Sequence, residues 1–447
     1  MKRFWAGFCL LTFFLQPFGY AASDEEKTLA CSDQASDGDC LLTLKYLYEL
    51  ALDQSEKIAL GREEIEKTEA QFLQAASEAL GDVSLIMSHT WQEDQGRNEY
   101  SGSFLNPYKG ERRIFFSQPI FQGFKAYGAL RGAGSLRKQR KAELRWAESL
   151  LFEDVTAAFY ALLYYRKDLE LIKEISALFD KRLEELTERE RIGRSRTSEL
   201  VSARSRKSML LAEQARVQGL LDVMRYMLEF LTGIDIDPTA VVDDDLAKTP
   251  VYPLDEHLKK TYERPDVSAL EQSRRVAWQN VIVTQSGLWP KATLEHNQYL
   301  DRTSFQSGID WDLLIRIDVP IFQGTGAVGR LKDAWSEWNK SKLHESLGKR
   351  EAGLETSQAY SKWLHAKDEY AALEIAVKDA DENYKLQEDE YRRNLVSNLD
   401  VLAALQGLFE ARRSEQEVFY RMKNHYWGLQ VASGALPREL LGIRRRD

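Results

Sequence analysis

The chain has 447 residues, 29% of them charged, with a net charge of −9. That balance offers no basic face for nucleic acid, and beyond the N-terminus no apolar run is long enough to cross a bilayer as a helix. Aromatic residues reach 11% while only 10 prolines occur, a composition suited to long uninterrupted helices plus an aromatic-rich element.

Lys2 and Arg3 lead an apolar run from Phe4 to Phe18, and Gly19-Tyr20-Ala21 supplies small residues for a signal peptidase. Residues 1–21 read as a signal peptide, so the mature chain is exported. Thr28-Leu29-Ala30-Cys31 is a poor lipobox, and no lipid anchor is expected. Cys31 and Cys40 enter an oxidising compartment, where their spacing suits either a small disulfide loop or two free thiols.

The first large unit spans residues 22–233. Val83 to Trp91 and Arg112 to Gln118 read as a β-hairpin at about 83–118, joined by a polar loop from Gln92 to Gly110. The motif Pro119-Ile120-Phe121-Gln122-Gly123 follows. A helical seam then runs through Leu151, Val155, Ala158, Leu162, Tyr165, Leu169, Ile172, Phe179, Leu183 and Leu186, mostly in steps of three and four, the spacing of a coiled coil. It breaks at a tip, residues 191–199, where Gly193 suits the left-handed residue that closes a helix. Ser198 is the expected N-cap of a return helix, with Glu199 as first-turn charge, and that helix ends at Gly233. Residues 234–265, with Pro238, Pro250, Pro253, Pro265 and the run Asp243-Asp244-Asp245, read as a linker of short elements.

The second unit, residues 266–434, repeats this order, with its hairpin at about 291–319. Ile309, Trp311, Leu313, Ile315, Ile317 and Val319 alternate with Asp310, Asp312, Leu314, Arg316 and Asp318. A sandwich strand seldom carries so charged a face along its whole length, so this reads as a transmembrane strand. Trp311, Leu313, Ile315 and Ile317 are then the lipid face, and Asp310, Asp312, Arg316 and Asp318 the lumen face. Strand-end aromatics such as Trp91, Tyr108, Phe115, Phe121 and Trp311 suit the two interfaces. Pro320-Ile321-Phe322-Gln323-Gly324 returns the first motif 201 positions on. A seam through Trp363, Ala366, Tyr370, Leu373, Val377, Ala380 and Tyr384 leads to a second tip, residues 391–400, with Asn394 in the column of Gly193. Asn398 is the expected N-cap ahead of Asp400, the return helix ends at Gly434, and residues 435–447 form a tail whose Arg444-Arg445-Arg446 reads as solvated.

The constant offset of 201, holding from Ala126/Ala327 to Gly233/Gly434, makes the chain a tandem duplication. Two hairpins supply four strands, too few to close a barrel, and open edges are not tolerated in hydrocarbon. Copies must therefore pool strands, and three copies make the smallest plausible symmetric barrel with a lumen, although strand arithmetic alone also permits a dimer.

With these elements the chain resembles the TolC-like outer-membrane efflux proteins, which carry two outer-membrane-efflux repeats. The resemblance rests on the Pro-Ile-Phe-Gln-Gly junctions, the element order from about Leu41 to Gly434, and the Tyr391 to Ala404 stretch. It implies an α+β membrane protein: a homotrimer with a 12-stranded β-barrel in outer-membrane lipid, continued by a long antiparallel α-helical barrel through the periplasm. It also implies a passive channel of a tripartite efflux pump or type I secretion system, with no bond chemistry and no cofactor or metal. The partners implied are a periplasmic adaptor protein and an inner-membrane transporter, with Gly193 and Asn394 at the adaptor-facing tips. Asp400, Glu199, Arg196 and Tyr391 form the implied tip gate. The chain departs from the family where Ala403 replaces the second constricting acid. Val396 likewise replaces an Arg that bridges hairpins in some members, a role for which the first tip offers Arg196. The plain alternative for Asp400 is helix-terminal charge alone.

Two other classes compete. A structural periplasmic coiled coil explains the rods but not residues 309–319. Gly324-Thr325-Gly326-Ala327-Val328-Gly329 is a literal dinucleotide-binding pattern between a strand and a helix. The strand before it is too charged for a buried parallel sheet, and the helix after it is too long. The six histidines show no metal spacing.

Overall fold

The computed structural model describes residues 41–91, 93, 108–244, 252–303, 308–393 and 395–443. The signal peptide, Cys31, Cys40, Asn394 and residues 444–446 lie outside the described residues. Two short-to-medium helices, α1 (Leu44–Gln54) and α2 (Glu56–Leu80), lead into strands β1 (Asp82–Trp91) and β2 (Tyr108–Gln122). Then come α3 (Lys125–Arg191), α4 (Thr197–Thr232), α5 (Leu254–Thr261) and α6 (Pro265–Gln285). The second half has β3 (Lys291–Arg302), β4 (Trp311–Asp318), α7 (Gly326–Arg392), α8 (Asn398–Ala432) and α9 (Pro437–Leu440).

The long helices α3 and α7 are each 67 residues, about 100 Å at 1.5 Å per residue. Such rods cannot fold around a globular core and must bury their seams against neighbours along their length. Central α3 packs against α2, α4, α6 and α8, and its seam residues Val155, Leu162, Ile172 and Leu186 are buried. On α7 only Ala366 of the seam is buried, the others being half-buried. Leu343, Leu354 and Ile375 of α7 stand exposed, because this helix lies at the edge of the layer.

The four strands form one antiparallel sheet in the order β1-β2-β3-β4. The β2–β3 pairing joins the two repeats, with Phe115 opposite Asn297 and Ser117 opposite Glu295. Pro119 lies within β2 at a register shift, where the missing N–H of proline is tolerated. Because β1 to β4 pair only in antiparallel fashion, no parallel strand–helix–strand unit among the described residues frames Gly324–Gly329, which instead leads into a 67-residue helix.

Around the middle of α3 the short elements build an apolar core. Tyr48 meets Phe152 edge-on at 5.0 Å, and Phe152 meets Trp427 at 5.4 Å. Arg438 clasps Glu148 with two bonds of 3.0 Å. The buried Arg264 donates to Asp266, Glu355 and the Ala432 carbonyl. Asp243, from the acidic run, pairs with Lys423.

The helix starts at the tips differ from the sequence expectation. The N-caps are Arg196 and Ser397, not Ser198 and Asn398. Ser397 wins because its side chain and the Asp400 carboxylate close a reciprocal capping box, which satisfies two end groups at once.

Candidate functional site

The sheet has two chemically distinct faces. On one, Val83, Leu85 and Met87 of β1 lie opposite Phe116, Ile114 and Arg112 of β2, and Leu294 of β3 lies opposite Ile315 of β4. Leu313, Ile315 and Ile317 are more than half exposed on that face. The other face carries a polar network: Asp312 accepts from Asn297 Nδ2 at 2.7 Å and from the Tyr299 hydroxyl at 2.8 Å. Arg316 reaches Glu295 at 3.3 Å, and Arg113 reaches Glu111 at 2.8 Å. Asp318 continues this face at the strand end opposite Lys291. Asp310 immediately precedes β4, and its carbonyl accepts from the Tyr299 N–H at 2.8 Å.

Aromatic rings collect at both ends of the sheet. Trp91 and Tyr108 approach to 5.7 Å at one end, and Phe124 lies 5.4 Å from Phe121 and 6.2 Å from Trp289 at the other. Phe115 is an exception to the strand-end expectation, since it pairs with Ser84 and Asn297 within the sheet.

At the far end of the rods, α3 closes with Gly193 at φ +72°. Arg194 N–H bonds the Arg189 carbonyl at 2.8 Å and Gly193 N–H the Glu190 carbonyl at 2.9 Å, the paired bonds of a Schellman end. The second tip repeats the longer bond, from Leu395 N–H to the Glu390 carbonyl at 3.0 Å.

Tyr391 is buried between two guanidinium groups of α3, Arg182 at 4.8 Å and Arg189 at 4.5 Å. It therefore links α7 to α3 rather than lying free. Glu199 accepts from Ser195 Oγ at 2.9 Å. Asp400 is exposed and accepts from Ser397 N–H at 2.9 Å and Ser397 Oγ at 2.6 Å. These bonds hold its carboxyl below the usual range, so it is charged at neutral pH. Arg196 is exposed, makes no side-chain cap bond, and at the 201-residue offset matches Ser397 rather than Val396.

Sequence reasoning missed two features here. Asn398 is buried with neither polar side-chain atom partnered. Farther up the rods, Arg413 of α8 bonds both Asp168 of α3 and Glu213 of α4. Heptad spacing marks seams but not which charges meet across them.

An exposed, two-faced, open-edged sheet set on rods of this length defines the subunit of an outer-membrane barrel with a helical extension. Residues 261–435 match the family model described as outer membrane efflux protein. The chain is 22% identical over 341 residues to outer membrane protein TolC of Vibrio cholerae, covering 73% of this chain and 77% of that protein. Among solved structures, VceC of Vibrio cholerae matches with a TM-score of 0.76 and 19% identity over 88% of this chain and 96% of that one. CmeC of Campylobacter jejuni matches with a TM-score of 0.74 and 16% identity over 88% of this chain and 85% of that one. The protein is an outer-membrane efflux channel, a passive duct rather than an enzyme. Proteins of the matched family are generally trimeric and work with other pump components.

Proposed function

We propose that three copies of this chain close their sheets into a 12-stranded barrel, and that their rods form a tunnel whose tips open and close against a periplasmic adaptor fed by an inner-membrane transporter. One observation carries the assembly. Gly123 and its repeat Gly324 share a left-handed backbone, φ +62° and +66°. A Cβ on Gly123 would lie 2.7 Å from the Ser286 carbonyl, whereas one on Gly324 would meet nothing within 4 Å. The place beside Gly324 is vacant in one chain because β4 and α7 are edge elements, and a second copy fills it. Pairing β4 with the β1 of the next copy also satisfies edges that hydrocarbon would leave unpaired.

In this assembly Trp311, Leu313, Ile315 and Ile317 face lipid, and Asp312, Arg316 and Asp318 face the lumen. Gly193 and Asn394 mark the adaptor-facing ends. Asp400 and Glu199 place acidic rings there, with Arg196 beside them and Tyr391 as the pin between hairpins. Native mass spectrometry of the purified protein, combined with cysteine crosslinking between β1 and β4, tests this reading. A trimer linked through those strands is expected; a monomer or dimer, or crosslinking confined within one chain, refutes it.

A further inference from the structure

Arg264, the N-cap of α6, is only 1% exposed and touches four helices. Its Nε and Nη2 donate to Asp266 of α6 at 3.0 and 2.8 Å, and Nη2 also donates to Glu355 of α7 at 2.8 Å. Nη1 donates to the Ala432 carbonyl at the end of α8 at 3.2 Å, and the guanidinium lies 4.4 Å from the Trp146 ring of α3. Thr356 of α7 donates to the same Ala432 carbonyl at 2.7 Å. The start of α6 and the middle of α7 therefore converge on the end of α8, against α3.

Glu153 lies seven residues beyond Trp146, a spacing that returns to one face of α3 after two turns. It is half-buried, and its carboxylate makes no hydrogen bond or ion pair among the described residues. The charges that act on it are Asp154 of α3 itself, Arg264 at the start of α6 and Glu355 of α7. With Glu153 neutral, one guanidinium faces the two carboxylates that it bonds, Asp266 and Glu355. An ionised Glu153 adds a third that has no donor of its own, a costly state for a group partly withdrawn from water. Burial and then Asp154 push its carboxyl up to about 7, with Glu355 adding to the rise and Arg264 opposing it. A carboxyl raised on folding contributes stability that is present below its unfolded value of 4.5 and is lost as pH rises through the folded one. We propose that Glu153 and the Arg264 joint form a proton-operated latch: the neutral acid lets α6, α7 and the end of α8 close on α3, and loss of its proton loosens that closure. The latch lies within one chain and does not depend on how copies assemble.

The test follows backbone amide exchange at the end of α8 and the start of α6, in the purified full-length protein in detergent, from about pH 5 to about 9. Each rate is divided by the intrinsic chemical rate at the same pH. In the parent, protection should fall about tenfold through a midpoint near pH 7, and in Glu153→Gln it should stay level. Glu355→Gln, which keeps an acceptor for Arg264 but removes a neighbouring negative charge, should move the midpoint to lower pH. Protection independent of pH in the parent, the same fall in Glu153→Gln, or a midpoint that stays or rises in Glu355→Gln, overturns the latch. Protection lost instead as pH falls overturns it too, and assigns the change to His257, which is buried in α5 with its Nε2 unpartnered and gains charge in acid.

Discussion

Arg413 donates from Nε at 3.1 Å and Nη2 at 2.7 Å to one carboxylate oxygen of Asp168, which is fully buried although 245 residues away in sequence. The same guanidinium reaches Glu213 at 2.5 Å, and Glu213 also pairs with Arg216 at 2.6 Å. Three helices, α3, α4 and α8, are thereby joined at one point. Burial pushes the Asp168 carboxyl up while Arg413 opposes the shift, so the charge is tolerated only while its partner stays. Arg413→Met should therefore destabilise the protein by about 3 to 5 kcal/mol. Asp168→Leu/Arg413→Met should recover much of the loss, because it removes both charges. Chemical denaturation of the three proteins checks this, and a single variant as stable as the parent would mean that the joint carries no strain-bearing contact.

The same cluster predicts a pH dependence. Hydrogen bonds from Arg216 and then Arg413, against the effect of burial, lower Glu213 to about 2 from its ordinary 4.5. A carboxyl lowered on folding contributes stability that is present above its unfolded pKa and lost as pH falls through the folded one. Glu213→Gln should be less stable than the parent at pH 6, with the gap closing between pH 4.5 and 2. A gap of constant size across that range, measured by thermal unfolding, would assign the difference to packing.

At the first tip, Gly193→Val forces a branched residue into φ +72° in otherwise open space. The cost is backbone strain alone, about 1 to 2 kcal/mol. Export should fail while barrel and oligomer persist. Parental efflux together with parental crosslinking to the adaptor would remove Gly193 from the docking surface.

Adjacent residues of β4 separate the two sheet faces. Leu313 lies with Ile315 and Ile317, whereas Leu314 lies opposite Glu295 on the polar face. Leu313→Arg should cost about 2 to 4 kcal/mol per copy at mid-bilayer. Leu314→Arg should be tolerated, since it places a cation beside a carboxylate. Heat-modifiable migration after membrane extraction compares them, and a reversed order would invert the assignment of the faces.

Hydrogen bonds from Ser397 favour the charged form of Asp400, and three copies would focus a negative field on a narrow opening. Asp400→Ala should weaken cation selectivity and multivalent-cation inhibition and raise conductance in planar bilayers. Glu199→Ala should act in the same direction but less, and the pair together most. Unaltered selectivity and conductance in all three would leave both carboxylates as helix-end groups only.

Much of this architecture is local and was readable before any fold was known. The alternation in residues 309–319 depends only on the two-residue period of a strand, and the seams of the rods only on helical spacing. Their 67-residue lengths follow from the absence of proline between Pro119 and Pro238 and between Pro320 and Pro437. The duplicated Pro-Ile-Phe-Gln-Gly motif, a linear pattern, announced two copies of one unit. Other features required the tertiary structure, because they join residues that no periodicity relates. The β2–β3 seam between repeats, the clasp of Arg438 on Glu148 across 290 positions, and the contact of Arg413 with Asp168 depend on which faces of the long rods meet. Even the cap at Ser397 was decided by the reciprocal bonds that it makes with Asp400. Spacing determines that a face is apolar or charged; only packing determines which partner it receives.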